Sequence, residues 1–265
     1  MKITVYPESR LDPYVRITRA CGWTWSCWQE FKPQITPDKD QSGALVYKFA
    51  RQTWVPKLED ILGYEVVLGD QSHIDRKKRY IVVANHASIL DIPIMVRADP
   101  NAVFVAKYDI VRAPIPGIKG RVRFPFGVPV IGPAVRRCGQ ITVLRTNTER
   151  DARSLQTGIE DRPKANVIFF AEGTRNPEGE LGPFKSGAFW SAVNHKLPIL
   201  PVLIHGSHKL LGKNMKWSDY RPGKTIRVTY LDPIAHDAYS SPQKLMHEVH
   251  AYMHHEYNRL RPNPP

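Results

Sequence analysis

The sequence predicts an α/β fold, with a largely parallel central sheet flanked by helices and an N-terminal helical membrane-docking segment. Beyond about residue 63, short apolar runs alternate with stretches of helical apolar spacing, which is typical of strands connected by helices. Many of these runs are β-branched and continuously apolar, as expected for parallel strands buried on both faces. Aromatic residues interleaved with cations near the N-terminus indicate the docking segment.

The composition sets the class of protein and its surroundings. The chain has 265 residues, of which 42% are hydrophobic, enough for a core in one large domain or two small ones. Three cysteines match no zinc or disulfide framework and suggest a reducing compartment. We find no secretory signal and no run of about 18–20 apolar residues. We therefore expect a cytoplasmic protein that associates peripherally with the cytoplasmic side of a membrane.

The net charge of +13 attracts anionic partners but does not choose among them. Nucleic acid, an anionic membrane surface and acidic proteins all remain compatible, and so does charge that serves only solubility. No nucleic-acid-binding motif is present, so we expect no nucleic-acid partner.

The N-terminal segment, residues 1–57, has a different residue pattern from the α/β domain predicted over residues 58–265. Leu11–Lys32 combines tryptophans with cations at helical spacing, which suits the headgroup boundary of a membrane. The same pattern suits a helix that packs on its own domain, and both interpretations stay open. A polar connector at 33–43 separates it from a second helical stretch, Ala44–Leu62.

The remaining elements follow from the position of each apolar run. Strands are predicted at Tyr64–Leu68, Tyr80–Ala84, Ala102–Ala106, Ile141–Leu144, Val167–Phe170, Ile199–Ile204 and Ile226–Leu231. Helices are predicted at Ile92–Ala98, Glu149–Asp161, Ser186–His195 and Pro242–Leu260. The Pro- and Arg-rich stretch 112–137 is predicted to be a long ordered loop.

A histidine and an aspartate follow the second strand in Ile81–Asp91, IVVANHASILD. The carboxyl ends of strands in open α/β sheets are where ligands bind. A turn between His86 and Asp91 brings the carboxylate to a ring nitrogen, so that His86 can take a proton from an attacking hydroxyl. The spacing alone also fits a structural His86 beside a helix start that Ser88 or Asp91 caps.

A second polar turn follows the strand in Ala165–Arg175, ANVIFFAEGTR. Gly173 allows a ligand to approach the backbone, and the guanidinium of Arg175 can bind phosphate with two parallel hydrogen bonds. Lys185 adds a charge just before a helix, at the positive end of its dipole. An ordinary turn with a structural pair between Glu172 and Arg175 is the alternative.

Two further stretches carry weaker signals. Gly139–Arg145, GQITVLR, is a short strand that ends in Arg145, which is either a phosphate ligand or a surface residue. Leu197–Val202, LPILPV, is apolar enough to line a groove for an alkyl chain or to pack in the core. Its two prolines argue against a regular central strand there.

Together, these four stretches resemble the blocks of the glycerolipid acyltransferase superfamily, which includes 1-acyl-sn-glycerol-3-phosphate acyltransferases. The blocks are Asn85–Asp91, the strand ending in Arg145, Phe170–Arg175 and Leu197–Val202, so the resemblance covers about half of the chain. The third block departs from the family pattern at Ala171, where proline is usual, and the loop 112–137 lengthens the second interval. Arg121, Arg123, Arg136 and Arg137 therefore become additional candidate phosphate ligands.

The resemblance implies an O-acyltransferase of phospholipid biosynthesis, with His86 as general base and Asp91 as its orienting partner. It implies an acyl-CoA or acyl-carrier-protein donor, a lysophospholipid acceptor and no cofactor. The acceptor phosphate would contact Arg145, Lys185 and the block-three residues Glu172, Gly173, Thr174 and Arg175. Backbone N–H groups near Gly173 would stabilise the oxyanion.

Three alternatives remain open at this point. The acceptor could be another lysolipid or a glycolipid, the chain could be a non-catalytic binder of anionic membranes, or water could replace the acceptor in a thioester hydrolase. On the last helix, His247, His250 and His254 share one face. That face is either solvated or a transition-metal site, and we predict no metal.

Overall fold

The computed structural model of the protein describes residues 12–31, 33, 44–99, 102–108, 139–145 and 148–261. In that part of the chain the helices are α1 Asp12–Phe31, α2 Ala44–Phe49, α3 Val55–Leu62, α4 Asp91–Ala98, α5 Thr148–Glu160, α6 Gly187–Asn194, α7 His208–Leu211 and α8 Pro242–Arg259. A π-helical turn at Ala50–Trp54 joins α2 to α3, and a 3-10 turn spans Trp217–Asp219. The strands are β1 Tyr64–Leu68, β2 Ile81–Ala84, β3 Ala102–Lys107, β4 Ile141–Val143, β5 Asn166–Phe170, β6 Ile199–His205 and β7 Lys224–Tyr230.

The described strands form one seven-stranded sheet in the order β1-β7-β6-β2-β5-β3-β4. Every neighbouring pair is parallel except β6 and β7, which run antiparallel. β2 lies at the centre, where Ile81 aligns with Val167 of β5 and with Ile199 of β6. The predicted α/β fold with a largely parallel sheet is confirmed.

The two faces of the sheet bury different helices because successive side chains of a strand point to opposite sides. Val82 and Ala84 of β2 join a cluster that includes residues of α1, α3 and α4. Ile81 and Val83 join a second cluster with residues of α5, α6 and α8. All four β2 residues are buried, and full burial of a Val or Ile side chain is worth about 1.5–3 kcal/mol. The carboxyl end of β2 is therefore held between two packed layers.

The prediction against a regular central strand at Leu197–Val202 is wrong. β6 lies between β2 and β7 with Pro201 inside it, and each of its residues is buried. The Pro201 carbonyl accepts a 3.0 Å hydrogen bond from the Leu231 N–H, just beyond the last residue of β7. The N–H and C=O of a strand residue point to the same side of the strand. The N–H that Pro201 lacks would therefore have pointed past the last residue of β7, where the hydrogen-bond ladder between β6 and β7 has ended.

The N-terminal helix α1 packs on the domain through Ile17 and Ala20, while Tyr14 and Trp25 are each 47% exposed. The boundary at residue 57 stays a prediction, since α3 runs across that position. None of the helices in the described ranges is both long and apolar enough to cross a bilayer. The loop predicted at 112–137 lies outside the described residues.

Candidate active site

The side chain of Asn85 continues the hydrogen bonding between β2 and β6 one residue past the end of β2, and so positions the loop that follows. Its side-chain amide donates to the Ile204 carbonyl at 3.0 Å, and its carbonyl oxygen accepts from the Ile204 N–H at 2.7 Å. The side chain thereby copies the pairing that a backbone would make with β6. His86 follows directly, at the carboxyl edge of the sheet, where ligands bind in folds of this kind.

His86 and Asp91 are hydrogen-bonded, as the spacing predicted. The imidazole Nδ1 lies 2.8 Å from Asp91 Oδ2, and the same oxygen accepts from the N–H groups of Ala87 at 2.7 Å and Ser88 at 2.8 Å. The Asp91 side chain is 0% exposed. A carboxylate can only accept, so Nδ1 carries the proton and Nε2 keeps a lone pair for use as a base.

The predicted capping of α4 by Ser88 or Asp91 is wrong in detail. Asp91 is the first residue of α4, and its carboxylate bonds back to the preceding loop rather than forward into the helix. Ser88 Oγ accepts from the Leu90 N–H at 3.1 Å and donates to the Leu211 carbonyl at 2.9 Å. The carboxylate therefore closes the loop around His86 instead of capping the helix.

The His86 ring is held from a second side by an aromatic contact. It stacks on Phe170, the last residue of β5, with ring centroids 4.2 Å apart and planes 17° apart. The side chain is 15% exposed. Within the described ranges no side chain or backbone group is hydrogen-bonded to Nε2, so its lone pair is not occupied by a protein donor.

Glu172 was predicted to contact substrate, whereas the structure turns its carboxylate toward the protein backbone. Oε1 accepts from the His86 N–H at 2.8 Å and Oε2 accepts from the Gly182 N–H at 3.0 Å. Glu172 is 5% exposed. Burial raises the pKa of its carboxyl to about 7, the two N–H donors act in the opposite direction, and Asp91 raises it further.

The turn after Glu172 gathers the predicted cations. Gly173 has φ +70°, a conformation that favours glycine, and its carbonyl accepts a hydrogen bond from the Arg145 guanidinium. A Cβ built on Gly173 would lie 3.4 Å from Lys185 Cγ. The Lys185 N–H donates to the Ala171 carbonyl at 2.7 Å, just before α6. Three elements distant in sequence therefore meet at this turn.

Arg145 reaches the turn through an unusual backbone conformation. It has φ +64°, and the Asp151 carboxylate accepts from the N–H groups of both Leu144 and Arg145, at 2.6 and 2.7 Å. These two hydrogen bonds anchor the end of β4 to the start of α5.

Arg175 is half-buried, and no described residue accepts a hydrogen bond from its guanidinium. Burial lowers the pKa of Arg175, and the Asp91 charge acts in the opposite direction. The N–H of Gly173, expected among the oxyanion donors, instead donates to the Phe170 carbonyl at 2.9 Å. This bond occupies the N–H of Gly173 alone, and oxyanion stabilisation by backbone N–H groups near Gly173 stays a prediction.

One residue at the site was missed by the sequence reasoning. Lys213 follows α7, and its Nζ lies 3.3 Å from Thr174 Oγ1. The available signal was its place in the chain, since it lies in the segment that follows the carboxyl end of β6. The other candidate phosphate ligands, Arg121, Arg123, Arg136 and Arg137, lie outside the described residues.

The histidine face of α8 shows no cluster suited to a metal. His250 donates to the Gly182 carbonyl at 3.1 Å and packs edge-on against Phe184, while His247 and His254 are exposed. Across the described ranges, no three His, Cys, Asp or Glu side chains lie together as metal ligands would.

Comparisons with known proteins agree with these features. The family model described as Acyltransferase matches residues 123–205, which includes three of the four blocks. The 1-acyl-sn-glycerol-3-phosphate acyltransferase BAT2, chloroplastic, of Brassica napus is 33% identical over 49% of this chain and 34% of its own. The 1-acyl-sn-glycerol-3-phosphate acyltransferase of Limnanthes douglasii is 29% identical over 71% of this chain and 63% of its own.

A protein of that name from Saccharomyces cerevisiae is 31% identical over 66% of this chain and 53% of its own. The chain thus spans between about a third and two thirds of these relatives. The crystal structure of the 1-acyl-sn-glycerophosphate acyltransferase PlsC from Thermotoga maritima superposes with a TM-score of 0.71 at 23% identity. It covers 96% of this chain and 97% of its own, and so shows the same fold. The sequence blocks, the family model and these relatives together make the chain similar to acyltransferases of glycerolipid synthesis.

Proposed function

We propose that the protein is an O-acyltransferase that moves a fatty acyl group from a thioester to the free hydroxyl of a lysophospholipid. The acceptor is 1-acyl-sn-glycerol-3-phosphate and the product is phosphatidate. The observation that carries this proposal is the hydrogen bond between His86 Nδ1 and Asp91, which leaves the Nε2 lone pair available as a base. The names of these relatives, all 1-acyl-sn-glycerol-3-phosphate acyltransferases, support this acceptor.

The chemistry follows from the state of the imidazole. Nε2 of His86 takes the proton of the acceptor hydroxyl as its oxygen attacks the thioester carbonyl carbon. The resulting imidazolium is stabilised by the buried Asp91 carboxylate. The tetrahedral intermediate collapses, the C–S bond breaks, and the leaving thiolate takes the proton back from His86. No acyl-enzyme and no cofactor enter this sequence.

The cations at the Gly173 turn support a site for the acceptor phosphate. Arg145, Lys185 and Arg175 come from three parts of the chain to one turn. The Asn176 N–H donates to the His86 carbonyl at 2.8 Å, so this turn is fastened to the catalytic loop. A phosphate bound there would hold the neighbouring hydroxyl of the same molecule close to Nε2.

The donor is acyl-CoA or acyl-carrier protein, both of which are anionic and attracted by the net charge of +13. We propose a peripheral position on the cytoplasmic side of an anionic membrane. Exposed Tyr14 and Trp25 on α1 support this position, because amphipathic rings are favoured at the headgroup boundary. A lipid acceptor would reach the cleft from such a surface.

The test is thiol release from a long-chain acyl-CoA, with and without lysophosphatidate, by the wild type, His86→Ala and the control His247→Ala. His247 is an exposed histidine of α8, far along the chain from the site. We expect release that requires acceptor, survives in the control and vanishes in His86→Ala, whose thermal unfolding should match the wild type.

Release without acceptor would instead indicate a hydrolase. Lipid binding with no release from acyl-CoA or acyl-carrier protein, across a panel of lysolipids, would indicate a non-catalytic membrane binder. Near-normal transfer by His86→Ala would overturn the mechanism.

A further inference from the structure

We propose that Lys213 binds the phosphate monoester of the acceptor, which adds a further cation to the site. This inference rests on the proposed function and assigns its headgroup recognition to a residue outside the four sequence blocks. The starting observation is that Lys213 Nζ lies 3.3 Å from the hydroxyl of Thr174, inside the turn that gathers Arg145 and Lys185.

The backbone that leads to Lys213 is fastened to the catalytic loop. The Leu211 carbonyl accepts from Ser88 Oγ at 2.9 Å, and Gly212 forms a β-bridge with Ser88. A Cβ at Gly212 would lie 2.7 Å from the His208 carbonyl oxygen, so glycine permits this close turn. Lys213 is therefore anchored relative to His86 although its own side chain is exposed.

The turn carries more positive than negative charge, which favours binding of an anion. Lys213 forms no ion pair with any carboxylate in the described ranges; its side-chain partner there is the Thr174 hydroxyl, at a long distance. An ammonium has three donors, so most of its capacity stays available for a ligand. The nearest acid of the turn, Glu172, is buried and directs both oxygens to backbone N–H groups.

The chemistry of the substrates favours the acceptor phosphate over the phosphates of CoA. In 1-acyl-sn-glycerol-3-phosphate, the reacting hydroxyl and the phosphate are borne by adjacent carbons, so both must lie near His86. In acyl-CoA the phosphates are separated from the thioester by the whole pantetheine arm. The turn that contains Thr174 is tied to the His86 backbone through Asn176 and Glu172, which places Lys213 on the acceptor side.

The experiment compares Lys213→Met and Lys213→Arg with the matched control Lys209→Met. Lys209 is an exposed lysine of α7 that forms no side-chain hydrogen bond within the described ranges. We expect Lys213→Met to raise the KM for lysophosphatidate about five- to tenfold, with kcat and the KM for acyl-CoA within about twofold. Lys213→Arg should restore most of the affinity, and Lys209→Met should match the wild type.

A binding measurement makes the result independent of turnover. Calorimetry with a short-chain lysophosphatidate, kept below its micelle-forming range, should show the same loss in Lys213→Met. Unchanged acceptor KM and binding would overturn the proposal, as would a rise confined to the KM for acyl-CoA. If the wild type binds the lysolipid through Lys213 but transfers no acyl group, the proposed function fails while the recognition role stands. If the wild type does not bind the lysolipid, the recognition role fails.

Discussion

Replacement of Asp91 by Asn tests whether its charge, rather than its shape, supports His86. Oδ2 accepts three hydrogen bonds, from His86 Nδ1 and from the N–H groups of Ala87 and Ser88. An amide NH2 placed there would face two backbone donors. The amide oxygen of the variant should therefore occupy the Oδ2 position and keep the proton on Nδ1 of His86. The substitution removes the negative charge but leaves the tautomer unchanged.

The size of the effect follows from the burial of this pair. Two unit charges about 4 Å apart interact with about 4 kcal/mol at an effective dielectric constant of about 20. The neutral hydrogen bond that remains is worth about 1 kcal/mol. The imidazolium formed in the reaction should therefore lose about 3 kcal/mol of stabilisation, which corresponds to a fall in kcat of about 100-fold.

The assay is kcat for acyl transfer to saturating lysophosphatidate, with Asp237→Asn as an exposed control and a thermal melt for each variant. The new amide NH2 would replace Oδ1, which is buried and has no hydrogen-bond partner among the described residues, so the melting temperature should also fall by a few degrees. A kcat within about threefold of the wild type would refute the charge argument. A loss of about 10⁴-fold or more would mean that the amide is reversed and the tautomer is wrong.

Three further substitutions probe the residues around this pair. Glu172→Gln should remove a pH dependence of stability. Burial raises the pKa of this carboxyl to about 7 in the folded protein, so the wild type, unlike the variant, should lose on the order of 3 kcal/mol of unfolding free energy as the pH rises from about 4.5 to 7. Urea titrations across this range check the sign; a wild-type loss no larger than that of the variant would contradict it. Gly182→Ala should lower kcat about tenfold, because its Cβ would lie 2.7 Å from Glu172 Oε2 and displace a carboxylate that holds the His86 loop. Gly22→Ala, with open space around its Cβ, is the control. Equal rates in the two variants would argue against a role of the Glu172 carboxylate in holding the His86 loop. Tyr257→Phe should cost about 1–2 kcal/mol in urea unfolding while leaving kcat unchanged, because the buried Tyr257 hydroxyl donates to the Gly179 carbonyl. A large loss of kcat at unchanged stability would place Tyr257 in the catalytic machinery instead.

The sequence predicted the strands well because local patterns carry their signal. β1 matches its prediction residue for residue, β2 to β6 each differ from their predictions by one residue at one end, and β7 begins two residues earlier and ends one residue earlier than predicted. Four consecutive apolar residues at Ile81–Ala84 are buried on both faces of the sheet, so no polar alternation obscures them. Pro201 misled the prediction because the cost of a proline in a strand depends on whether a neighbouring strand still pairs on the side where the N–H is missing.

The site was only partly predictable, since its contacts join residues far apart in the chain. The pair of His86 and Asp91 lies within one turn, and its hydrogen bond could be expected from spacing. The direction of the Glu172 carboxylate could not, because it depends on Gly182 and on the His86 backbone meeting across the sheet edge. Lys213 reaches Thr174 because the end of α7 packs on the loop that carries His86.

Two buried carboxylates with different partners hold the His86 loop. Asp91 accepts from one ring nitrogen and two N–H groups, whereas Glu172 accepts from the N–H of His86 itself and from Gly182. The loop and the turn at Gly173 are joined again by the bond from the Asn176 N–H to the His86 carbonyl. These bonds connect the His86 ring to the turn where the cations gather without any contribution from substrate. Since a misplacement of about 1 Å can cost about 100-fold in rate, we expect substitutions of the residues that hold this backbone to lower the rate as much as substitutions of the cations.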